Sequence, residues 1–228
     1  MRHGPGPAPV NPLPPVVAAL FLVIVAVEAA FSLGARGLLG GPGAVGWRPM
    51  AIESYGFNVA ILDWMIGTGR WPLEHVQRLV TYQFVHASFT HALFAGIMLL
   101  ALGKMVGEVF GALATLSVFV VPGIAGALVF GLLLGDPQWL VGAFPGVYGL
   151  IGAFTYLLWT RLGEMGEQQI RAFTLIGFLL AIQLIFGLLF GAYNDWIADL
   201  AGFATGFLMS FFVSPGGWAR LRARLRHD

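Results

Sequence analysis

Long apolar runs recur along the whole chain, separated by short stretches that are polar or rich in glycine and proline. A membrane-spanning helix needs about 20 mostly apolar residues, because the hydrocarbon core of a bilayer is about 30 Å thick. Six runs are long enough, and their bounds are approximate. We therefore predict an all-α membrane protein with spans at about 16–35, 79–102, 110–134, 139–160, 172–192 and 196–213.

Composition narrows the class of protein further. Of the 228 residues 58% are hydrophobic and only 10% are charged, whereas about a quarter of the residues in soluble domains are charged. The absence of cysteine excludes disulfide and thiol chemistry. A net charge of +1 argues against a nucleic-acid partner, which would need a concentrated basic face. We therefore predict that this chain is embedded in a lipid bilayer.

The distribution of basic residues predicts the orientation of the bundle. We divide the chain into a proline-rich head (1–15), a membrane domain (16–213) and an arginine-rich tail (214–228). Eight basic residues fall on one side of the predicted bundle, and four fall in the long loop 36–78 on the other side. Because basic residues accumulate on the cytoplasmic side of membrane proteins, both termini are predicted to be cytoplasmic. The eight are Arg2, Lys104, Arg161, Arg171, Arg220, Arg222, Arg224 and Arg226.

The loop 36–78 is too long to be a simple connection between two helices. It contains several aromatic residues and one apolar stretch, residues 58–66, that is too short to span a bilayer. Such a stretch is typical of a helix that lies along the membrane interface. We therefore predict an interfacial helix inside this loop.

Polar residues within the spans are costly, so they are the first candidates for a functional site. They concentrate in three stretches, at 77–91, 141–153 and 198–206. Glu28 is a further acid, in the first span. It is expected either to form hydrogen bonds within the bundle or to mark a path for protons or ions.

Together, the three polar stretches resemble the motifs of the rhomboid family, which are intramembrane serine proteases. The resemblance covers about residues 16–213. It implies a bundle of six transmembrane helices with cytoplasmic termini, a long interfacial loop after the first helix, and a place in the bacterial cytoplasmic (inner) membrane. The residues that match the family motifs are Arg78, His86, His91, Gly142, Tyr148, Ala198, Gly202 and Gly206.

The same resemblance shows departures at the positions that carry the family's chemistry. Phe144 stands at the position of the serine nucleophile, and Asp199 stands at that of the histidine base. Ala95 replaces the asparagine that, with the residue matching His91, helps to stabilise the oxyanion. Because phenylalanine has no nucleophilic atom, we predict a pseudoprotease, without a cofactor, that binds or regulates the transmembrane segments of client proteins.

Two other functions stay open at this point. One is an active rhomboid endopeptidase, for which Ser88, close to His86, would be the substitute nucleophile. The other is a small transporter or channel that uses Glu28 or Asp199. A metal site built from His86, His91 and Asp199 is disfavoured, because residues five apart point about 140° apart around a helix.

Spacing also predicts how two of the helices pack. Glycines recur every third residue at 146, 149 and 152, and small residues recur every fourth residue at 198, 202 and 206. Small residues at such intervals let two helix backbones approach closely. Our hypothesis for Asp199 is that His91 or the Tyr148 hydroxyl holds it by a hydrogen bond. The alternative is that Asp199 faces water near the outer end of the sixth span.

Overall fold

A computed structural model describes residues 12–135, 137–190 and 194–216 of the chain. Most of the head and most of the tail predicted above therefore lie outside the described residues. The helices are α1 (Pro15–Ala35), α2 (Trp47–Tyr55), α3 (Val59–Thr68), α4 (Leu73–Val76), α5 (Arg78–Thr81), α6 (Phe89–Phe110), α7 (Ala112–Leu133), α8 (Phe144–Glu164), α9 (Thr174–Phe190) and α10 (Trp196–Val213). Short 3₁₀ turns lie at Pro42–Gly46, Tyr82–Phe84 and Gln169–Phe173, and the strands β1 (Phe57–Asn58) and β2 (Trp139–Leu140) form a two-stranded sheet.

Within the described residues, four helices are long and apolar enough to cross a membrane: α1, α6, α7 and α10. The count of six spans therefore stays a prediction. The described part of helix α9 has 17 residues, fewer than the about 20 that a span needs. Helix α8 has 21 residues, but those from Pro145 to Ala153 are all buried within the protein. Helices that pack against other helices in a membrane carry small residues such as glycine at their contacts, and these are less apolar than the residues that face lipid.

Helix α8 packs against α10 through the small residues that the spacing singled out. A Cβ atom added to Gly202 would collide with the carbonyl oxygen of Pro145, and one added to Gly206 would collide with that of Gly149. In the other direction, a Cβ on Gly152 would collide with the carbonyl of Phe203. The two backbones are therefore in direct contact along what we call the glycine seam.

The second apolar run does not become helical where the sequence suggested. Residues before α6 form only α4, α5 and a 3₁₀ turn, and the regular helix begins at Phe89, ten residues after the predicted start of the span at residue 79. Ser88 caps this helix, because its Oγ accepts a hydrogen bond from the backbone N–H of His91 at 3.1 Å. His86 consequently lies in an irregular segment, residues 85–88, just before α6.

The long loop is folded onto the rest of the molecule. Strand β1 in the loop pairs antiparallel with β2, with Phe57 opposite Leu140, just before α8. The buried Arg78 donates hydrogen bonds to the carbonyl oxygens of Glu53 and Gly56 at 2.8 and 2.9 Å. The stretch predicted to lie along the membrane interface forms α3, which buries Val59, Leu62 and Met65 and exposes Trp64 and Ile66. Its place at the interface stays a prediction.

Candidate functional site

Two histidines and a phenylalanine meet where α8 begins. The rings of His86 and His91 lie edge to face, with their centroids 5.3 Å apart and an interplanar angle of 78°. Phe144, the first residue of α8, stacks on His91 at 5.1 Å with an angle of 14°. The segment before α6 and the start of α8 are thus joined by aromatic contacts, which we call the aromatic cluster.

The His86 ring is held in one orientation by the backbone of the next element. Its Nε2 accepts a hydrogen bond from the N–H of Ala143 at 3.2 Å, and the ring also has a hydrogen bond to the backbone of Phe84. A nitrogen that accepts carries no proton, so His86 is neutral with its proton on Nδ1. Because Nε2 is occupied in this way, that nitrogen is not free to bind a metal ion.

Gly142 lets the backbone pass directly beside both histidines. Its φ angle is +99°, and a Cβ there would lie 2.6 Å from Cε1 and 2.8 Å from Nε2 of His91. Its N–H donates to the carbonyl of Tyr82 at 2.9 Å. Glycine is the residue suited to this combination of a positive φ and a crowded neighbour.

Asp199 lies in the first turn of α10 and is 3% exposed. It is close enough to Tyr148 and Tyr82 to interact with both electrostatically. This burial disfavours the alternative in which Asp199 faces water. The proximity of Tyr148 supports the hypothesis that its hydroxyl holds the carboxylate, which stays a prediction, as does the role suggested for His91.

The remaining candidates have structural surroundings. Ala95 is 0% exposed on α6 and contributes only a methyl group. Ser88 serves as the cap of α6, which accounts for a hydroxyl beside the histidines. The part of the chain that the structure describes contains no group of three His, Cys, Asp or Glu side chains placed to hold a metal ion.

An ion pair that sequence reasoning missed lies on the other side of His86. Arg48 donates from Nη1 to Glu28 Oε2 at 2.9 Å and from Nη2 to Glu28 Oε1 at 2.7 Å. The Ser32 hydroxyl donates to the same carboxylate at 2.7 Å. Glu28 thus has partners that explain an acid within α1. The sequence gives no signal that links Glu28 to Arg48, because the two residues are twenty positions apart and the chain turns between them.

The fold and this cluster define an integral membrane protein, a helical bundle with two histidines beside the start of a buried helix. The family model described as "Rhomboid domain" matches residues 73–216. This chain belongs to the rhomboid family.

Curated proteins of the same family are similar over most of the chain. RHOMBOID-like protein 1 of Arabidopsis thaliana is 29% identical over 167 residues, which are 68% of this chain and 42% of that protein. RHOMBOID-like protein 4 of the same plant is 28% identical over 148 residues, 64% of this chain and 36% of that protein. This chain therefore spans less than half the length of these plant relatives. The Bacillus subtilis (strain 168) protein described as "Putative rhomboid protease YdcA" is 27% identical over 168 residues, 72% of this chain and 74% of that protein.

Proposed function

We propose that this rhomboid-family protein does not cleave peptide bonds and instead binds the transmembrane segments of client proteins. One observation carries the proposal: the phenyl ring of Phe144 stacks nearly parallel to the His91 ring, with the ring centroids 5.1 Å apart. The motif resemblance puts the serine nucleophile of the family at this position. A stacked hydrocarbon ring occupies that place here, and it supplies no atom that can attack a carbonyl.

The other substitutions remove further parts of the same mechanism. Asp199, at the position of the family's histidine base, could accept a proton but has no serine to activate. Ala95 offers a methyl group where the family offers an amide donor to the oxyanion. Loss of one such donor costs about 2.7–4 kcal/mol of transition-state stabilisation. Loss of the nucleophile as well leaves no covalent route.

The parts of the fold that support binding are kept. The glycine seam holds α8 against α10, and the β1–β2 pair holds the long loop beside the start of α8. A rigid bundle with lipid-facing sides can pack against a single apolar helix through van der Waals contacts. The partners that we propose are thus the bilayer and the transmembrane segments of clients. We propose further that the membrane is the bacterial cytoplasmic membrane, with both termini in the cytoplasm.

Client binding can be tested with a photoreactive amino acid. It would replace Phe144 in one variant and Leu113, which is 81% exposed at the start of α7, in a matched control. Irradiation of native membranes should link position 144, but not 113, to a small set of single-span proteins. Each of these should then bind the purified chain in nanodiscs. Crosslinks to lipid alone at both positions would contradict client binding.

The opposite function is an active serine endopeptidase, and the description of the Bacillus subtilis relative as a rhomboid protease favours it. A fluorophosphonate probe reacts with activated serine hydroxyls, so we expect it to leave the purified protein unlabelled. Ser88→Ala serves as the control, because Ser88 lies beside the histidines. Labelling that disappears in Ser88→Ala would overturn the proposal and identify Ser88 as the nucleophile.

A further inference from the structure

The guanidinium of Arg48 contacts three parts of the molecule at once. Besides its two hydrogen bonds to Glu28 on α1, its Nη1 donates to the backbone carbonyl of His86 at 2.6 Å. Its Cζ lies 5.2 Å from the centroid of the Phe31 ring. Arg48 itself is in the first turn of α2, so one side chain joins the first helix, the long loop and the segment that bears the histidines.

Arginine is the residue whose chemistry suits this place. The two side chains are largely buried, with 21% of Arg48 and 8% of Glu28 exposed, and a buried carboxylate needs a charged partner with good geometry. A planar guanidinium engages both carboxylate oxygens and keeps a further N–H for another acceptor. The compact ammonium of lysine cannot present donors in this fork.

The carbonyl of His86 is a sensitive point for such a contact. Residues 85–88 are not helical, so the regular helical hydrogen bonds do not fix their backbone. The peptide that carries this carbonyl joins His86 to Ala87, and the next residue is Ser88, the cap of α6. The ring of the same residue accepts from Ala143 and lies against His91, which stacks on Phe144. A shift of this peptide would therefore move the aromatic cluster.

We infer that Arg48 is a positioning residue that couples the first helix, through Glu28, to the backbone of His86 and thereby to the aromatic cluster. The region that matches the rhomboid domain begins at residue 73. Both Glu28 and Arg48 precede it, and His86 lies inside it. The coupling is thus a means by which α1 and the long loop act on the domain, whether or not the domain cleaves peptides.

Hydrogen–deuterium exchange on the full chain in nanodiscs tests this coupling. Arg48→Met should speed exchange about tenfold in peptides covering 85–91 and 141–144, since local opening becomes more frequent when His86 is no longer held in place. Exchange in α7 and α10 should not change. Arg70→Met, a substitution of an exposed arginine in the same loop, is the matched control and should leave every peptide unchanged. Unaltered exchange at 85–91 in Arg48→Met would overturn the inference.

Exchanging the two charges distinguishes the effect of the Arg48–His86 contact from that of the Arg48–Glu28 ion pair. The double variant Glu28→Arg with Arg48→Glu keeps opposite charges between α1 and α2, but the new carboxylate at position 48 cannot donate to the His86 carbonyl. We expect normal exchange in α2 and fast exchange at 85–91. Full protection at 85–91 in this variant would show that the ion pair alone suffices and would refute the role of the His86 contact.

Arg48→Lys keeps the charge and disturbs the fold least. It should give an intermediate exchange rate at 85–91, and a wild-type rate there would also refute the role of the His86 contact.

Discussion

The first turn of α8 and the rest of this helix contact their neighbours in different ways. Along the body, the backbones of α8 and α10 touch, and a single added carbon at Gly152, Gly202 or Gly206 would collide with main-chain atoms. At the first turn, Phe144 is a large side chain that fills space against a histidine ring. The comparison shows that one helix combines direct backbone contact along its length with a bulky aromatic contact at its start, where we propose that the nucleophile of the family is missing.

The same contrast predicts which substitutions the fold tolerates. A collision with backbone cannot be relieved by the rotation of a side chain, so a change in the glycine seam must move a whole helix. The aromatic cluster consists of side chains that can adjust. We therefore expect the largest losses of stability in the seam and the smallest at Phe144.

The largest effect is expected for Gly206→Ala. The new methyl group would overlap the carbonyl of Gly149, and overpacking of this kind costs about 1–3 kcal/mol and occasionally more. The matched control is Gly177→Ala in α9, where nothing lies within 4 Å of the added carbon. This control should be neutral or more stable by about 0.5–1 kcal/mol. Unfolding of both variants in lipid–detergent mixtures measures the free energies, and equal stability would refute close contact along the seam.

An intermediate effect is expected for Gly142→Ala. The substitution carries the strain of a positive φ angle, about 1–2 kcal/mol, and also pushes against the His91 ring, a side chain that can move aside. Gly69→Ala separates the two costs, because Gly69 has a φ of +66° with nothing within 4 Å. Gly142→Ala should lose more unfolding free energy than Gly69→Ala and should shift the NMR signals of His91. Equal losses in the two variants would mean that the His91 contact adds nothing.

Only a small effect on stability is expected for Phe144→Leu. It keeps an apolar side chain and gives up the stacked ring, a contact that contributes about 0.5–1.5 kcal/mol. The sharper readout is NMR, since protons above an aromatic ring are shielded and the His91 ring protons should move downfield when the phenyl group is removed. Phe89→Leu, at an exposed site at the start of α6, is the control. His91 signals that move equally in both variants would argue against the stack.

The features of this structure that could be predicted are those encoded by residues close together in the sequence. The run at 196–213 is mostly apolar and contains no proline, and α10 has the same bounds. The intervals of glycine in the fourth run and of small residues in the sixth pointed to two helices in close contact. The family could be identified because three short motifs occur in order.

Other features depend on contacts between distant parts of the chain. The predicted second span included residues 79–88 although several of them are polar. Composition does not show that Ser88 ends an irregular segment there as the cap of α6. The partner of Glu28 could not be named either, since it depends on how the long loop folds back onto α1. Asp199 could be singled out from the sequence, but its burial near Tyr148 required the packing of α8 against α10.

Cleavage of a single-span reporter in proteoliposomes tests the central claim most directly. The wild-type chain should produce no fragments above the level of protein-free liposomes, because Phe144 supplies no nucleophile. The triple variant Phe144→Ser, Asp199→His and Ala95→Asn should gain cleavage if the glycine seam keeps the helices in working positions. Cleavage by the wild-type chain that is abolished by one conservative substitution within residues 77–206 would contradict the account.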